Sequence, residues 1–558
     1  MRASLLRSLG CCLPLGNLAF QGSAHLTVKS ANTVWTVVPA ASCSCRITGP
    51  SIERPWRPTS SSGSSERGQR QMYDPLASAV NADAADEQSG WADDCELDSQ
   101  GKVMLKGLLF SETERLMDRL GEKRGRAEVL AGWLYHDRRL VRDVADTGGE
   151  DGDHSRRMGK KTRERVGAIS TADGGLRLED VQSAADGTRK LVSVLTSGEG
   201  AGKKVETVII PMLRGPQREP RYTVCVSSQV GCAMNCQFCY TGRLGLMANL
   251  QTAQIVEQVV SAKRFLESVG DPAKVTGVVF MGMGEPFDNY DRVMRAVNIL
   301  TDPVAGVRLK ASSVTVSTVG LVPEIERFCT DPGNGASLAI SLHAVTDEVR
   351  DKLIPVNRRY PLAQLSETLR THFPRPSKPK PDDCKDTSSA GSDETSTGNV
   401  ASLTTSPSLP GATAGGQGAA AAGAAQIRPS DRKPGQRPRR KSRILSVEYT
   451  LLGGVNDSLA DADRLANWLK GVACVVNLIT FNAHSGTPFS VSSLATSEAF
   501  RQALSESGQL CTFRDSRGDD EMAACGQLGG KSMAGPDARK TLPVTWVPDN
   551  VIRAGSSA

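Results

Sequence analysis

Apolar and aromatic residues are in short supply in this sequence. Of its 558 residues, 39% are hydrophobic and 4% aromatic, whereas an ordinary soluble domain runs to roughly 45–50% apolar. The deficit predicts a folded protein diluted by segments that cannot bury a core. Long hydrophobic runs are missing too. Nothing approaches the roughly 18–20 apolar residues of a membrane-spanning helix, so no membrane partner is expected. Fourteen cysteines in the whole chain are too few for a disulfide scaffold. Acidic residues are absent from positions 1–52, which carry Arg2, Arg7, Lys29 and Arg46 among many Ser, Ala and Leu. That composition predicts an organelle transit peptide. A plastid is the expected destination, with a mitochondrion or the cytoplasm as alternatives.

Excess charge is small. The formal total is +6, and the stretch from Arg428 to Arg443 holds eight cations against Asp431 alone, a local +7 that leaves −1 for everything else. Bulk charge therefore gives little argument for nucleic-acid binding, and that basic stretch is read as a solvated loop, with non-specific contact to RNA phosphates as the alternative. Residues 53–102 are polar and turn-rich, as expected of a disordered linker. Residues 375–442, mostly Pro, Ser, Gly and Ala, read as a disordered insertion.

Between these lies folded sequence. The spacing of Ser111 and Glu114 predicts a capping box that opens a helix running through Leu116 and Leu120 to Gly121. Leu130, Trp133 and Leu134 predict a second helix over Ala127–Asp137, which makes 103–170 a small N-terminal helical domain. Val192–Leu195 and Val205–Ile210 read as strands of a β-rich connector, 171–222. From 223 to 550 strand and helix patterns alternate. The strand candidates are Thr223–Ser227, Val275–Met281, Ser313–Ser317, Ser337–Leu342, Ile444–Leu451 and Val475–Ile479. After the first comes an amphipathic helix opened by Thr252, with Ile255, Val259, Ala262 and Leu266 on one stripe. Six such units predict an α/β fold, a partial TIM-like (β/α)6 barrel, with its chemistry at the C-terminal ends of the strands.

Just after the first strand stands Gly231-Cys232-Ala233-Met234-Asn235-Cys236-Gln237-Phe238-Cys239. Three thiolates at this spacing can hold three irons of a [4Fe–4S] cube, whose full cysteine ligation takes four. The loop offers no fourth Cys or His, as a structural zinc site would. One iron is left for a non-protein ligand. The second unit ends in Met281-Gly282-Met283-Gly284-Glu285-Pro286, where glycines admit a ligand to the backbone and a carboxylate can accept from an ammonium group. S-adenosylmethionine binding requires such a pairing.

These residues carry a resemblance. The sequence resembles the radical S-adenosylmethionine (SAM) RNA methyltransferases of the RlmN type, which methylate adenosine C2 in large-subunit rRNA and in tRNA. The likeness spans about 103–374 and 443–550. It includes LGEKRGRAEVLAGWLYH at 120–136, DGTRKLVSVL at 186–195, VETVIIP at 205–211 and CVSSQVGCAMNCQFC at 225–239. GMGEP at 282–286, SLHA at 341–344, LIPVNRRYPL at 353–362 and RGDDEMAACGQLGG at 517–530 belong to it as well. The resemblance implies a radical SAM barrel with Cys232, Cys236 and Cys239 as cluster ligands. Gly284 and Glu285 are implied as contacts to the SAM amino group, and Ser317, Ser341, Leu342, His343 and Asn482 as its further contacts. Cys525 is implied as the methyl-carrying cysteine, Cys225 as its resolving partner and Glu206 as the base.

The implied reaction avoids an attack that the electron-poor C2 cannot make. One SAM methylates Cys525; a second yields a 5′-deoxyadenosyl radical that removes hydrogen from the S-methyl group. The resulting methylene radical adds to C2, Glu206 takes the proton, and Cys225 displaces the product with formation of a disulfide. RNA, a ferredoxin- or flavodoxin-type electron donor and a monomeric state are implied as well. Thr480 and Ala248 stand where family members usually have Pro and often Arg, and Arg124-Gly125-Arg126 replaces Pro-aromatic-Arg. A C8-methylating enzyme of the same superfamily would share every catalytic residue. A non-catalytic cluster protein would need neither Cys225, Glu206 nor Cys525.

Overall fold

The structure is a computed structural model of the chain, and it describes residues 26–30, 33–37, 95–136, 140–148, 158–212, 220–376, 444–514, 516–530 and 541–547. The expected transit peptide (apart from the two short segments), most of the linker and the 375–442 insertion, bar its first two residues, lie outside them. Two compact units are distinguished, Met1–Met72 and Tyr73–Ala558. In the first, Leu26–Ser30 pairs antiparallel with Thr33–Val37.

The second unit is built on one ten-stranded sheet whose strands lie in sequence order. Its strands are β1 (Leu176–Ser183), β2 (Arg189–Leu195), β3 (Lys204–Pro211), β4 (Arg221–Cys225), β5 (Lys274–Phe280), β6 (Val314–Thr318), β7 (Ser337–Ser341), β8 (Leu445–Leu451), β9 (Cys474–Thr480) and β10 (Cys511–Arg514). From β4 to β10 all neighbours pair parallel, while β1 to β4 form an antiparallel meander. Parallel neighbours need long crossovers, and helices supply them. The six expected parallel strands are present within two residues at either end, in the arrangement of a partial barrel. Two strands of this sheet went unforeseen. β10 is only four residues, Cys-Thr-Phe-Arg, with no apolar run to mark it. β1 is an edge strand with Arg, Glu, Asp and Gln among its eight residues.

Helix starts differ from expectation in an instructive way. Helix α1 (Phe110–Arg119) begins one residue before Ser111. The reciprocal bond is made by Glu112, whose Oε2 accepts from Leu109 N at 2.7 Å, so the Ser111/Glu114 capping box does not form. After α2 (Gly125–Tyr135) and α3 (Lys160–Ile169), α4 (Thr252–Ser268) is capped at Gln251 instead of Thr252. A distant carboxylate completes that cap: Glu96 accepts from Thr252 N at 2.5 Å and from Ala253 N at 2.8 Å. Negative charge at a helix N-terminus is favourable, but local sequence cannot announce a partner 156 residues away.

The helical segment is tied to α4 by buried charge. Lys106 Nζ meets Glu257 Oε2 at 2.5 Å with both side chains fully buried. Arg264 bonds the other Glu257 oxygen at 3.0 Å and the Leu140 carbonyl. Burial alone would neutralise these groups. Lys106 holds the Glu257 carboxyl below its ordinary range, whereas burial pulls the Lys106 ammonium down. A buried pair of this kind depends on every partner being present.

Candidate active site

The cysteine loop follows β4 and is shaped by residues that tolerate left-handed backbone. Gly231 sits at φ +76°, and a Cβ there would lie 1.9 Å from the Gly245 carbonyl oxygen, so only glycine fits. Asn235, at φ +50°, is among the few other residue types that adopt this conformation. Cys232 and Cys236 are buried and Cys239 half-buried. Burial pushes all three thiols up, and for Cys232 and Cys236 the neighbouring thiols add to it. Buried thiols on one short loop ionise more readily beside positive charge, which a bound iron cluster supplies.

Cys236 and Cys239 open onto a cavity of about 120 Å³ at the C-terminal ends of the strands. Its floor is the Gly282–Glu285 turn. Gly284 stands at φ +101° with the Gln229 side chain 2.6 Å from where a Cβ would be. Glu285 is buried; its oxygens accept from Phe287 N at 3.1 Å and Val319 N at 3.0 Å, yet burial pushes its carboxyl up to about 7. Ser317 and Ser341 share a hydroxyl–hydroxyl bond of 3.2 Å on the wall. His343, at φ +55°, accepts from Thr450 N through Nδ1 at 2.9 Å. Burial lowers its pKa to about 3, so the ring is neutral with its proton on Nε2. Leu342 lines neither cavity; its N–H donates to Glu448 O and its carbonyl accepts from Arg350 Nε.

A second cavity of about 580 Å³ continues into the barrel lumen. Cys225, at the end of β4, and Cys525, in the loop after β10, both line it, and Cys525 lines the smaller cavity as well. Desolvation pushes Cys225 up to about 12. Cys525 is exposed to the cavity but walled by protein, which pushes it up to about 11. Its loop is held at many points. Tyr240 N donates to Gly526 O at 2.8 Å, Thr241 Oγ1 to Leu528 O at 2.7 Å and Asn482 Nδ2 to Cys525 O at 3.0 Å. Asn482 thus supports the loop, and it lines the larger cavity alone. Glu206 stands apart from both cavities. Fully buried, it accepts from Gly529 N at 2.8 Å and lies 3.5 Å from Lys190 Nζ.

Residues 226–372 match the model of the radical SAM superfamily. The dual-specificity RNA methyltransferase RlmN of Geotalea uraniireducens (strain Rf4) is 35% identical over 434 residues, 77% of this chain and 97% of that protein. The RlmN of Geobacter sulfurreducens is 36% identical over 429 residues, 77% of this chain and 92% of its own. The chain belongs to the RlmN family. A crystal structure of a radical SAM methyltransferase from Sphaerobacter thermophilus covers 76% of this chain and 98% of its own at 33% identity, with a TM-score of 0.57. This RlmN-family chain is accordingly a radical SAM methyltransferase, with a [4Fe–4S] cluster and SAM as cofactors. The cysteine loop and the adjoining cavity fit that pair: three thiols on one loop, two of them lining an acceptor-rich pocket with a neutral histidine.

Sequence reading passed over the polar inner face of the sheet. Glu448, Asn477, Thr512 and Arg514 line the lumen, and the polar alternation Ser446, Glu448, Thr450 within β8 was the available signal. Arg350 was also missed. Fully buried, its guanidinium donates to the Val319, Leu342 and Ser341 carbonyls and to Asn357, tying together the ends of β6 and β7 beneath the cofactor cavity. Ala248, where an RNA contact was in question, is buried, and Thr480 is exposed at the end of β9.

Proposed function

We propose that this enzyme methylates C2 of adenosine in RNA, in large-subunit rRNA and in tRNA, with the carbon carried on Cys525. One observation carries the reading: Cys225 and Cys525, 300 residues apart in sequence, line one cavity, and Cys525 also faces the cofactor cavity. A methyltransferase that passed its methyl group directly to a nitrogen nucleophile would need neither thiol.

Cys232, Cys236 and Cys239 hold the cluster, while Gly284, Glu285, Ser317, Ser341 and His343 surround SAM, with Leu342 and Asn482 supporting them from behind. Bound together, these cofactors supply a hydrogen-abstracting radical. Cys525 presents the carbon, and its loop, pinned by Asn482 and Thr241, keeps that carbon between the two cavities. Cys225 attacks the Cys525 sulfur as a thiolate once the carbon is joined to the base: an S–S bond forms, the S–C bond breaks with its electron pair passing to the carbon, and that carbon takes up a proton to become the methyl group of the departing RNA. Glu206 is the base that the resemblance supplies. In the state seen here its carboxylate clasps Gly529, so proton transfer to it requires the Cys525 loop to open.

Further readings accompany this one. A monomer is proposed, reduced by a ferredoxin- or flavodoxin-type donor and delivered to a plastid by residues 1–52. The domain limits proposed are 103–170, 171–222 and 223–550. The deciding experiment is mass spectrometry of organellar rRNA and tRNA with and without this protein. Loss of 2-methyladenosine supports the proposal; loss of 8-methyladenosine alone identifies a C8 enzyme, and no change in either refutes it.

A further inference from the structure

A carboxylate oxygen lacking a hydrogen bond stands where the two cavities meet. Glu448 lies midway along β8 on the sheet's inner face, is 4% exposed and lines both cavities. Its Oε1 accepts from Asn477 Nδ2 at 2.8 Å. Its Oε2 is buried with no hydrogen-bond partner among the described residues; the Arg514 guanidinium is 3.7 Å away, close enough to balance charge but too far to donate. An unsatisfied buried acceptor is a standing cost to the fold. Desolvation accordingly raises the Glu448 pKa against the pull of Arg514 and Asn477. None of the steps assigned to Cys225, Cys525 or Glu285 uses this group.

We infer that Glu448 recognises the target base, its free oxygen accepting a hydrogen bond from the exocyclic amino group of adenine. This rests on the reading of adenosine as substrate. With Arg514 balancing its charge, the ionised Glu448 carboxylate accepts only; a donor completes Oε2 in that state, and adenine offers its 6-amino group. The amino-bearing carbon and C2 flank the same ring nitrogen. An adenine anchored at Glu448 therefore presents C2 one ring atom away, and Cys525 lines the same two cavities. A lumen of about 580 Å³ falls in the usual range for a small-ligand site.

Asn477 makes the test unusually sharp. Because its Nδ2 donates to Oε1, Glu448→Gln must keep its carbonyl oxygen there and set its NH2 where Oε2 stood. An acceptor becomes a donor, which suits the 6-oxo group of inosine and opposes the amino group of adenosine. The assay uses full-length reconstituted holoenzyme on rRNA- and tRNA-derived substrates that differ only in the target: adenosine, inosine or purine riboside. Wild type should favour adenosine by at least about 100-fold in kcat/KM, since a site that leaves its buried polar group unpaired rejects the analogue strongly. Glu448→Gln should lose about 100-fold on adenosine and prefer inosine. Glu448→Asp, which keeps the acceptor, should keep the adenosine preference at a lower rate. Iron content and the KM for SAM should stay as in wild type throughout. An unchanged adenosine-to-inosine ratio in Glu448→Gln overturns the inference, as does a raised KM for SAM with that ratio unchanged, which would give the carboxylate to the cofactor. Equal wild-type rates on adenosine and purine riboside overturn it with no variant involved. A wild type that methylates none of these RNAs refutes the parent reading instead.

Discussion

Replacing Cys225 by Ala should freeze the enzyme on its RNA. The variant keeps the cluster loop, the cofactor cavity and Cys525, so it should still load a methyl group and still join that carbon to the base. What it lacks is the sulfur that attacks Cys525. The deficit can be estimated against rescue by an added thiol. With its thiol pushed up to about 12, Cys225 at pH 7.5 is thiolate in roughly 3 molecules per 10⁵, whereas a free thiol of pKa about 8.5 is roughly 10% thiolate. That gives the external thiol an advantage of about 3 × 10³. Placement on the same cavity wall opposes it: well-oriented intramolecular groups reach effective concentrations of about 10⁵–10⁸ M, against about 10 mM for an added thiol, a factor of about 10⁷–10¹⁰. Resolution should therefore slow by about three to six orders of magnitude even in reductant.

Purified Cys225→Ala protein should carry covalently bound RNA, seen as nuclease-sensitive retardation on a denaturing gel. Cys525→Ala should carry none, because it lacks the sulfur that anchors the bridging carbon, and the double variant should match Cys525→Ala. Since the attacking form is the thiolate, the resolution rate of wild type should rise about tenfold per pH unit between 6.5 and 8.5. A Cys225→Ala enzyme that turns over within tenfold of wild type, with no trapped RNA, would refute the two-cysteine reasoning while leaving the cluster assignment intact.

Other consequences can be checked separately. Anaerobically reconstituted wild type should bind about four irons per chain, and Cys236→Ala should lose most of that iron together with all 5′-deoxyadenosine formation; full SAM cleavage would sink the ligand assignment. Gly284→Ala drives a Cβ into Gln229 at a left-handed φ, so SAM affinity by calorimetry should fall at least tenfold with iron content unchanged. Lys106→Met strands the buried Glu257 carboxylate with Arg264 as its remaining cation, and chemical denaturation should show a loss of about 3 kcal/mol; a loss under about 1 kcal/mol would mean the pair is not needed. A fluorescent protein carrying residues 1–60 should enter plastids, and cytosolic retention would count against the targeting reading.

The six expected parallel strands were legible because each is a short run holding Val, Ile or Leu and set off by a helical pattern. β10 had no such signal: Cys511–Arg514 is held by pairing with β9, a tertiary cause that four residues of mixed polarity cannot advertise. The cap of α4 failed for the same reason. Its donors are satisfied by Glu96, and the local Gln251–Gln254 bond lacks the Ser or Thr that usually gives a cap away.

Site residues divide along a similar line. Cys232, Cys236, Cys239, Gly284 and Glu285 lie in continuous motifs because backbone geometry forces them together: Gly231 and Gly284 tolerate no side chain, so the residues beside them are fixed in space once the loop forms. Cys225 and Cys525 have no such local bond. They meet because β4 opens the parallel array and the chain closes it past β10, and because the Cys525 loop is fastened to Tyr240 and Thr241 directly after the cluster cysteines. Glu448 and Asn477 were hidden for the opposite reason, as ordinary-looking polar residues inside convincing strands. A strand at the centre of a parallel array gains nothing from a buried carboxylate, and its alternation Ser446, Glu448, Thr450 is affordable only where the inner face surrounds a ligand instead of a core. The polar face of β8 thus belongs to the chemistry of the lumen, and the free oxygen of Glu448 is the point at which substrate recognition can be tested apart from catalysis.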